Sequence, residues 1–149
     1  MFDDLDDLYQ DLILDHNRNP RNFRRLETPT HHAHGHNPLC GDSILLHLKI
    51  ENECIIDIAF SGDGCAISKS SASLMTEALK GKSTDEAIHL FESFHRMILE
   101  EKDDESAVLG KLSSLKGVRE FPVRVKCAML AWQTLHAALT QSTAKISTE

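Results

Sequence analysis

Apolar positions recur at helical spacing near the start of the chain: Leu5, Leu8, Tyr9, Leu12 and Ile13, with His16 on the same side and aspartates between them. The pattern predicts an amphipathic helix over residues 3–19. Its early aspartates suit the positive end of the helix dipole, and Asn19-Pro20 ends it. Residues 20–39 hold three of the four prolines and no strong period, which predicts mostly loop with room for one short edge strand. Residues 43–50 then alternate. Ile44, Leu46, Leu48 and Ile50 face one way, and Leu45, His47 and Lys49 the other, the pattern of a half-buried strand. A polar Glu51-Asn52-Glu53 turn separates it from a second strand over 55–60, so the pair predicts a hairpin.

Ser61-Gly62-Asp63-Gly64 is expected to break that strand, and Cys65 to open a helix that runs to Leu79 and stops at Gly81. Its serines and alanines at 68–73 are small enough to let another backbone approach closely. Ser83 and Glu86 have the spacing of a capping box. The helix after them is expected to present Ala87, Ile88, Phe91, Phe94, His95 and Ile98 on one face, with His89 and His95 as packing or surface residues. Residues 100–105 are all charged and form a polar break. A shorter helical segment over 106–115 turns Leu109, Leu112 and Leu115 inward and ends at Gly117. Phe121-Pro122 suits the entry to a last helix, with Val125, Met129, Trp132, His136 and Leu139 as its stripe.

The fold class expected from these elements is α+β: one domain over 1–149, with a small, mainly antiparallel sheet of about three strands, helices packed on it, and flexible tails at 1–4 and 142–149. Apolar residues make up 41% and charged residues 26% of the chain, a globular balance that excludes wholesale disorder. A net charge of −7 makes a nucleic-acid surface unexpected. No apolar run approaches a membrane span, and the acidic start lacks the basic onset of a secretory signal. The expected compartment is the cytoplasm, where lasting disulfides are rare, so the four cysteines read as ligands or reactive thiols.

Candidate chemistry centres on Asn37-Pro38-Leu39-Cys40-Gly41-Asp42, which puts a thiol and a carboxylate on either side of a flexible glycine. Cys65 follows Gly62-Asp63-Gly64, at a helix start where the dipole and free N–H groups favour a thiolate. Cys127 follows Arg124-Val125-Lys126, whose cations would offset excess negative charge. Three thiolates and a carboxylate form a four-coordinate set acceptable to zinc, and thiolates also suit iron–sulfur clusters. The intervals, 24 residues between Cys40 and Cys65 and 61 between Cys65 and Cys127, are unlike the short pairs of a zinc finger. Such a site forms only when distant elements converge. Cys54 has no glycine, aspartate or basic neighbour and reads as a small structural residue. His31-His32-Ala33-His34-Gly35-His36 is read as a mobile loop able to pick up metal adventitiously. A nucleobase deaminase is excluded, because no Cys-x-x-Cys follows a His-x-Glu. Walker and Gly-x-Ser-x-Gly sequences are absent too.

The Cys40 stretch, Gly62-Asp63-Gly64-Cys65-Ala66-Ile67-Ser68, and the run from Gly117-Val118-Arg119-Glu120-Phe121-Pro122 to Cys127-Ala128 resemble the three cysteine motifs of the IscU/NifU N-terminal family of iron–sulfur assembly proteins. Leu8-Tyr9, Asp15-His16 and Asn19-Pro20-Arg21-Asn22 are similar too, so the resemblance spans roughly residues 5–140. Lys126, where IscU-type scaffolds carry histidine, and a longer segment between the second and third motifs resemble the SufU-like branch. The resemblance implies zinc held by Cys40, Asp42, Cys65 and Cys127. It also implies that Cys40 accepts sulfur from the persulfide of a PLP-dependent, SufS-like cysteine desulfurase and passes it to other iron–sulfur assembly proteins. Two alternatives use the same residues: a scaffold that builds and transfers a [2Fe–2S] cluster, and an interaction module with a structural zinc.

Overall fold

The computed structural model describes residues 4–102, 106–140 and 146–147. Helix α1 (Asp4–Arg18) leads through a strap to three long strands, β1 (His31–Asn37), β2 (Asp42–Glu51) and β3 (Cys54–Asp63). Helices α2 (Ala66–Leu79), α3 (Thr84–Leu99) and α4 (Ser106–Leu109) follow, then a 3-10 helix over Gly110–Glu120, helix α5 (Pro122–Leu139) and a short β4 (Ile146–Ser147). The sheet runs β3-β2-β1-β4, antiparallel across β1, β2 and β3, with β4 parallel to β1. One sheet face carries α5 and α2, and the core lies between them around Trp132, Phe94, Leu46, Leu48 and Leu74. The α+β class with a small, mainly antiparallel sheet is therefore the observed architecture. Among the described residues, no helix is long and apolar enough to cross a membrane.

β2 follows its alternation: Ile44, Leu46 and Leu48 are buried and the residues between them half-buried. Ser83 and Glu86 close the expected capping box, each side chain meeting the other's backbone N–H at 3.1 Å. The small face of α2 also does what its size allows, with Ser71 Oγ donating to the Ala128 carbonyl of α5 at 2.7 Å.

The histidine run is not a mobile loop but strand β1, paired with β2 along its whole length. Its period of two is written in small residues. Ala33, Gly35 and Asn37 face the helices, while His32, His34 and His36 occupy the other face. A side chain at Gly35 would collide with Thr134 of α5, so the strand is buried by close approach and carries no hydrophobic signature. β3 likewise runs through the expected break to Asp63. The segment after α4 does not stop at Gly117. Leu109, Leu112, Leu115 and Val118 recur every three residues, all buried, as a 3-10 helix aligns them. The buried face of α3 holds Leu90, Ser93 and Met97 beside Ala87, Phe94 and Ile98, and leaves Ile88 exposed. α5 has no single stripe. It is buried on most sides, although His136 stays exposed and stacks on Phe91. Leu8, expected on the inner side of α1, is exposed.

Of the expected tails, Asp4 opens α1 and 146–147 form β4, and the remainder lies outside the described residues. The polar break is described only at 100–102.

Candidate metal centre

β1 and β2 form a hairpin whose last pair is Asn37 opposite Asp42, so Pro38-Leu39-Cys40-Gly41 is its turn. Gly41 has φ +73, a left-handed conformation that glycine takes without strain. Leu39 N–H donates to Asn37 Oδ1 at 3.2 Å and shapes the turn from within. Cys40 is thus presented, exposed, at the tip. Asp42, two residues on, is fully buried at the start of β2 rather than in a loop.

Cys65 is the N-cap of α2, in extended conformation, and its sulfur accepts the Ser68 N–H at 3.4 Å. Its own N–H donates to Asp42 Oδ1 at 2.9 Å, and its Sγ lies 3.8 Å from Asp42 Oδ2. One carboxylate therefore fixes the helix start with one oxygen and faces the thiol with the other. Cys127 lies in the second turn of α5, 2% exposed, where the serine face of α2 packs closely. Its Sγ is 3.3 Å from Cys40 Sγ and 3.8 Å from Asn37 Nδ2. Ligand atoms of Cys40, Asp42 and Cys127 all lie within 4.8 Å of one another. Cys65 stands outside that triangle and faces one of its corners, Asp42, at 3.8 Å.

A tetrahedral ion with zinc–sulfur bonds of about 2.3 Å holds its ligand atoms about 3.7 Å apart. The Cys40–Cys127 sulfur spacing of 3.3 Å is a little short of that value, while the triangle with Asp42 spans up to 4.8 Å. The electrostatics agree. Burial pushes the Cys127 thiol well above the usual range, and the neighbouring Cys40, Cys65 and Asp42 push it the same way. These groups are acids crowded together, which as neutral thiols donate to one another and as thiolates would need a cation.

The expected neighbours sit differently. Arg124 is exposed, its guanidinium 4.6 Å over the Phe121 ring. Lys126 lines a groove of about 440 Å³ with Ile98, Leu99 and Met129, between α3 and α5. Cys54 opens β3, at the opposite end of that strand from Cys65, with its Sγ 3.7 Å from the Gly81 carbonyl. Two contributors were not singled out by sequence reasoning. Asn37 lies inside the first motif, and an Asn-Pro step signals a turn, but its reach to Cys127 is a tertiary contact. Ser68 touches Cys65 through backbone that any residue would supply.

Residues 8–149 match the family described as NifU-like N terminal domain. The chain belongs to that family. It is 40% identical over 137 residues to the zinc-dependent sulfurtransferase SufU of Bacillus subtilis, covering 92% of each chain. It is 39% identical over 138 residues to the iron–sulfur cluster assembly scaffold protein IscU of Streptococcus pyogenes, covering 93% of this chain and 86% of that one. The fold is similar to the crystal structure of the SUF-system protein FiSufU from Fervidobacterium islandicum AW-1, with TM-score 0.82, 34% identity, and 86% and 93% of the two chains covered.

Proposed function

We propose that this chain is a sulfur carrier of a cytoplasmic iron–sulfur assembly system, taking persulfide sulfur from a PLP-dependent, SufS-like cysteine desulfurase and handing it to other assembly proteins. The observation that carries the reading is the asymmetry of the site. Asp42 and Cys127 are buried and Cys65 is anchored at a helix start, whereas Cys40 is exposed on the four-residue turn between β1 and β2. The likeness to the zinc-dependent sulfurtransferase SufU supports it.

Cys40, Asp42, Cys65 and Cys127 would hold zinc, which when bound stabilises the thiolates and ties β1, β2, α2 and α5 together. In the transfer, the Cys40 thiolate attacks the outer sulfur of the desulfurase persulfide. The sulfur–sulfur bond there breaks, the desulfurase thiolate leaves, and Cys40 becomes the persulfide. Asp42 keeps Cys65 in place through its N–H while Cys40 moves. A closed structural zinc would have no use for an exposed thiol.

The test is to purify the chain without a histidine tag, measure zinc, iron and acid-labile sulfide, then incubate it with desulfurase and cysteine and map persulfide by mass spectrometry. Persulfide on Cys40 with zinc retained is expected. Cys40→Ser should abolish stimulation of the desulfurase, and Cys54→Ser should not. Equal stimulation by wild type and Cys40→Ser would sink the reading. The likeness to IscU favours a second one, a scaffold for a [2Fe–2S] cluster, which stoichiometric iron and sulfide in place of zinc would establish.

A further inference from the structure

We propose that Cys40 and Cys127 are a redox pair, which hydrogen peroxide converts in the metal-free protein to an intramolecular disulfide. The consequence for metal uptake rests on the ligand set proposed above: the bond would occupy two of its four ligand atoms.

The geometry selects this pair among the possible ones. Cys40 Sγ and Cys127 Sγ are 3.3 Å apart, so forming a bond of about 2.0 Å needs a closure of about 1.3 Å. The hairpin tip can supply that movement, because Cys40 stands in a four-residue turn with Gly41 left-handed beside it. Cys65 is held back. Its sulfur caps α2 through the Ser68 N–H, and its backbone is tied to Asp42 at 2.9 Å. Cys54 lies at the far end of β3.

The two thiols also differ in access, which sets the order of events. Cys40 is exposed and Cys127 is 2% exposed, so a small oxidant in solution meets Cys40 first. The Cys40 sulfur attacks one peroxide oxygen and the O–O bond breaks. Hydroxide leaves as water with the thiol proton, giving Cys40 sulfenic acid. The Cys127 sulfur then attacks the Cys40 sulfur, the S–O bond breaks, and a second water leaves with the Cys127 proton. Two thiols lose two electrons, and one peroxide is reduced to two waters. The neighbouring thiol thereby stops Cys40 from passing to sulfinic acid, which thiols do not reverse. The pair protects the sulfur acceptor when metal is absent.

The experiment strips the full chain of metal under argon and adds one equivalent of hydrogen peroxide. Remaining thiols are then alkylated and the non-reduced peptides mapped. A Cys40–Cys127 link with Cys54 and Cys65 alkylated is expected, and Cys65→Ser should leave that link intact. Cys127→Ser should lack it and carry a Cys40 sulfenic acid that dimedone traps. The oxidised protein should lose zinc uptake and regain it with dithiothreitol. A dominant link through Cys65, or Cys40 driven to sulfinic acid with Cys127 still alkylated, would overturn the pair. If the link forms but the reduced chain takes up no zinc, the ligand assignment fails and the pair stands.

Discussion

Helix α2 carries a buried polar cluster at each end, and the two are built on opposite principles. Near its C-terminal end, His16 of α1 is fully buried, with Nδ1 2.7 Å from Ser73 Oγ. The same hydroxyl accepts the Arg21 N–H at 2.8 Å, and Asn22 donates to Thr76 at 3.1 Å. Glu77 lies 3.9 Å from His16 Nε2 and 3.6 Å from Lys111 Nζ. Donors meet acceptors here except at His16 Nε2, which is buried without a hydrogen-bond partner 3.9 Å from Glu77, so this cluster is nearly complete and serves as a seam between helices. At the N-terminal end, Cys40, Asp42, Cys65 and Cys127 are all acids that become acceptors when ionised. As neutral thiols they pair, Cys65 with Asp42 and Cys127 with Cys40, but once ionised they are acceptors without side-chain donors among themselves. The difference teaches where chemistry resides: a polar cluster that satisfies itself holds the fold, and one that needs something from outside binds it.

The comparison breaks most sharply when the incomplete cluster is deprived of a member. Cys127→Ala should reduce bound zinc toward zero. It should also erase the difference in stability between zinc-loaded and chelator-treated protein, about 4 kcal/mol at zinc a thousandfold above its dissociation constant. Metal analysis and urea unfolding measure the two effects. Next in size, His16→Ala at the complete cluster should cost about 2–3 kcal/mol through a cavity and a lost hydrogen bond. Zinc content should stay unchanged. Loss of zinc in that variant would show that the two ends of α2 are not separable.

Acid should reveal the same contrast. Burial, aided by Arg21, pushes the His16 pKa below its ordinary value, against the opposing pull of Glu77 and Asp15. The unfolded chain therefore takes up this proton first. The contribution of neutral His16 is fully present above about pH 6.5 and is lost as pH falls through the depressed folded value. Urea unfolding of the metal-free protein across this window should show stability falling with pH, less steeply in His16→Gln. The smallest effect belongs to a site remote from both clusters. Ser83→Ala should cost about 1 kcal/mol by opening the capping box of α3, with zinc and sulfur uptake unaltered.

Sequence reasoning reached the site by two routes of unequal power. Spacing alone is a weak signal for a common centre, because intervals of 24 and 61 residues are unlike the short pairs of a zinc finger. The motifs around them carried the resemblance that grouped Cys40, Asp42, Cys65 and Cys127. Legible as well were features encoded by neighbours along the chain: the alternation of β2, the Ser83–Glu86 cap, and the inward leucines after residue 108. β1 escaped because Ala33, Gly35 and Asn37 are buried by the approach of α5, and small residues leave no hydrophobic trace. Arg124 and Lys126 were expected beside the thiols from chain order. One rests on Phe121 and the other lines the groove against α3, because a helix turns successive side chains about 100° apart.

What the sequence by itself determined is a set of local instructions, in which caps, turns and alternation depend only on residues a few positions apart. Tertiary structure alone decided that Cys40 meets Cys127 across 86 intervening residues, that Asp42 is shared with Cys65, and that one thiol of the set stays in solvent. Those outcomes depend on how closely α2 and α5 pack beneath the sheet, and that distance is fixed by volumes contributed from all of them at once.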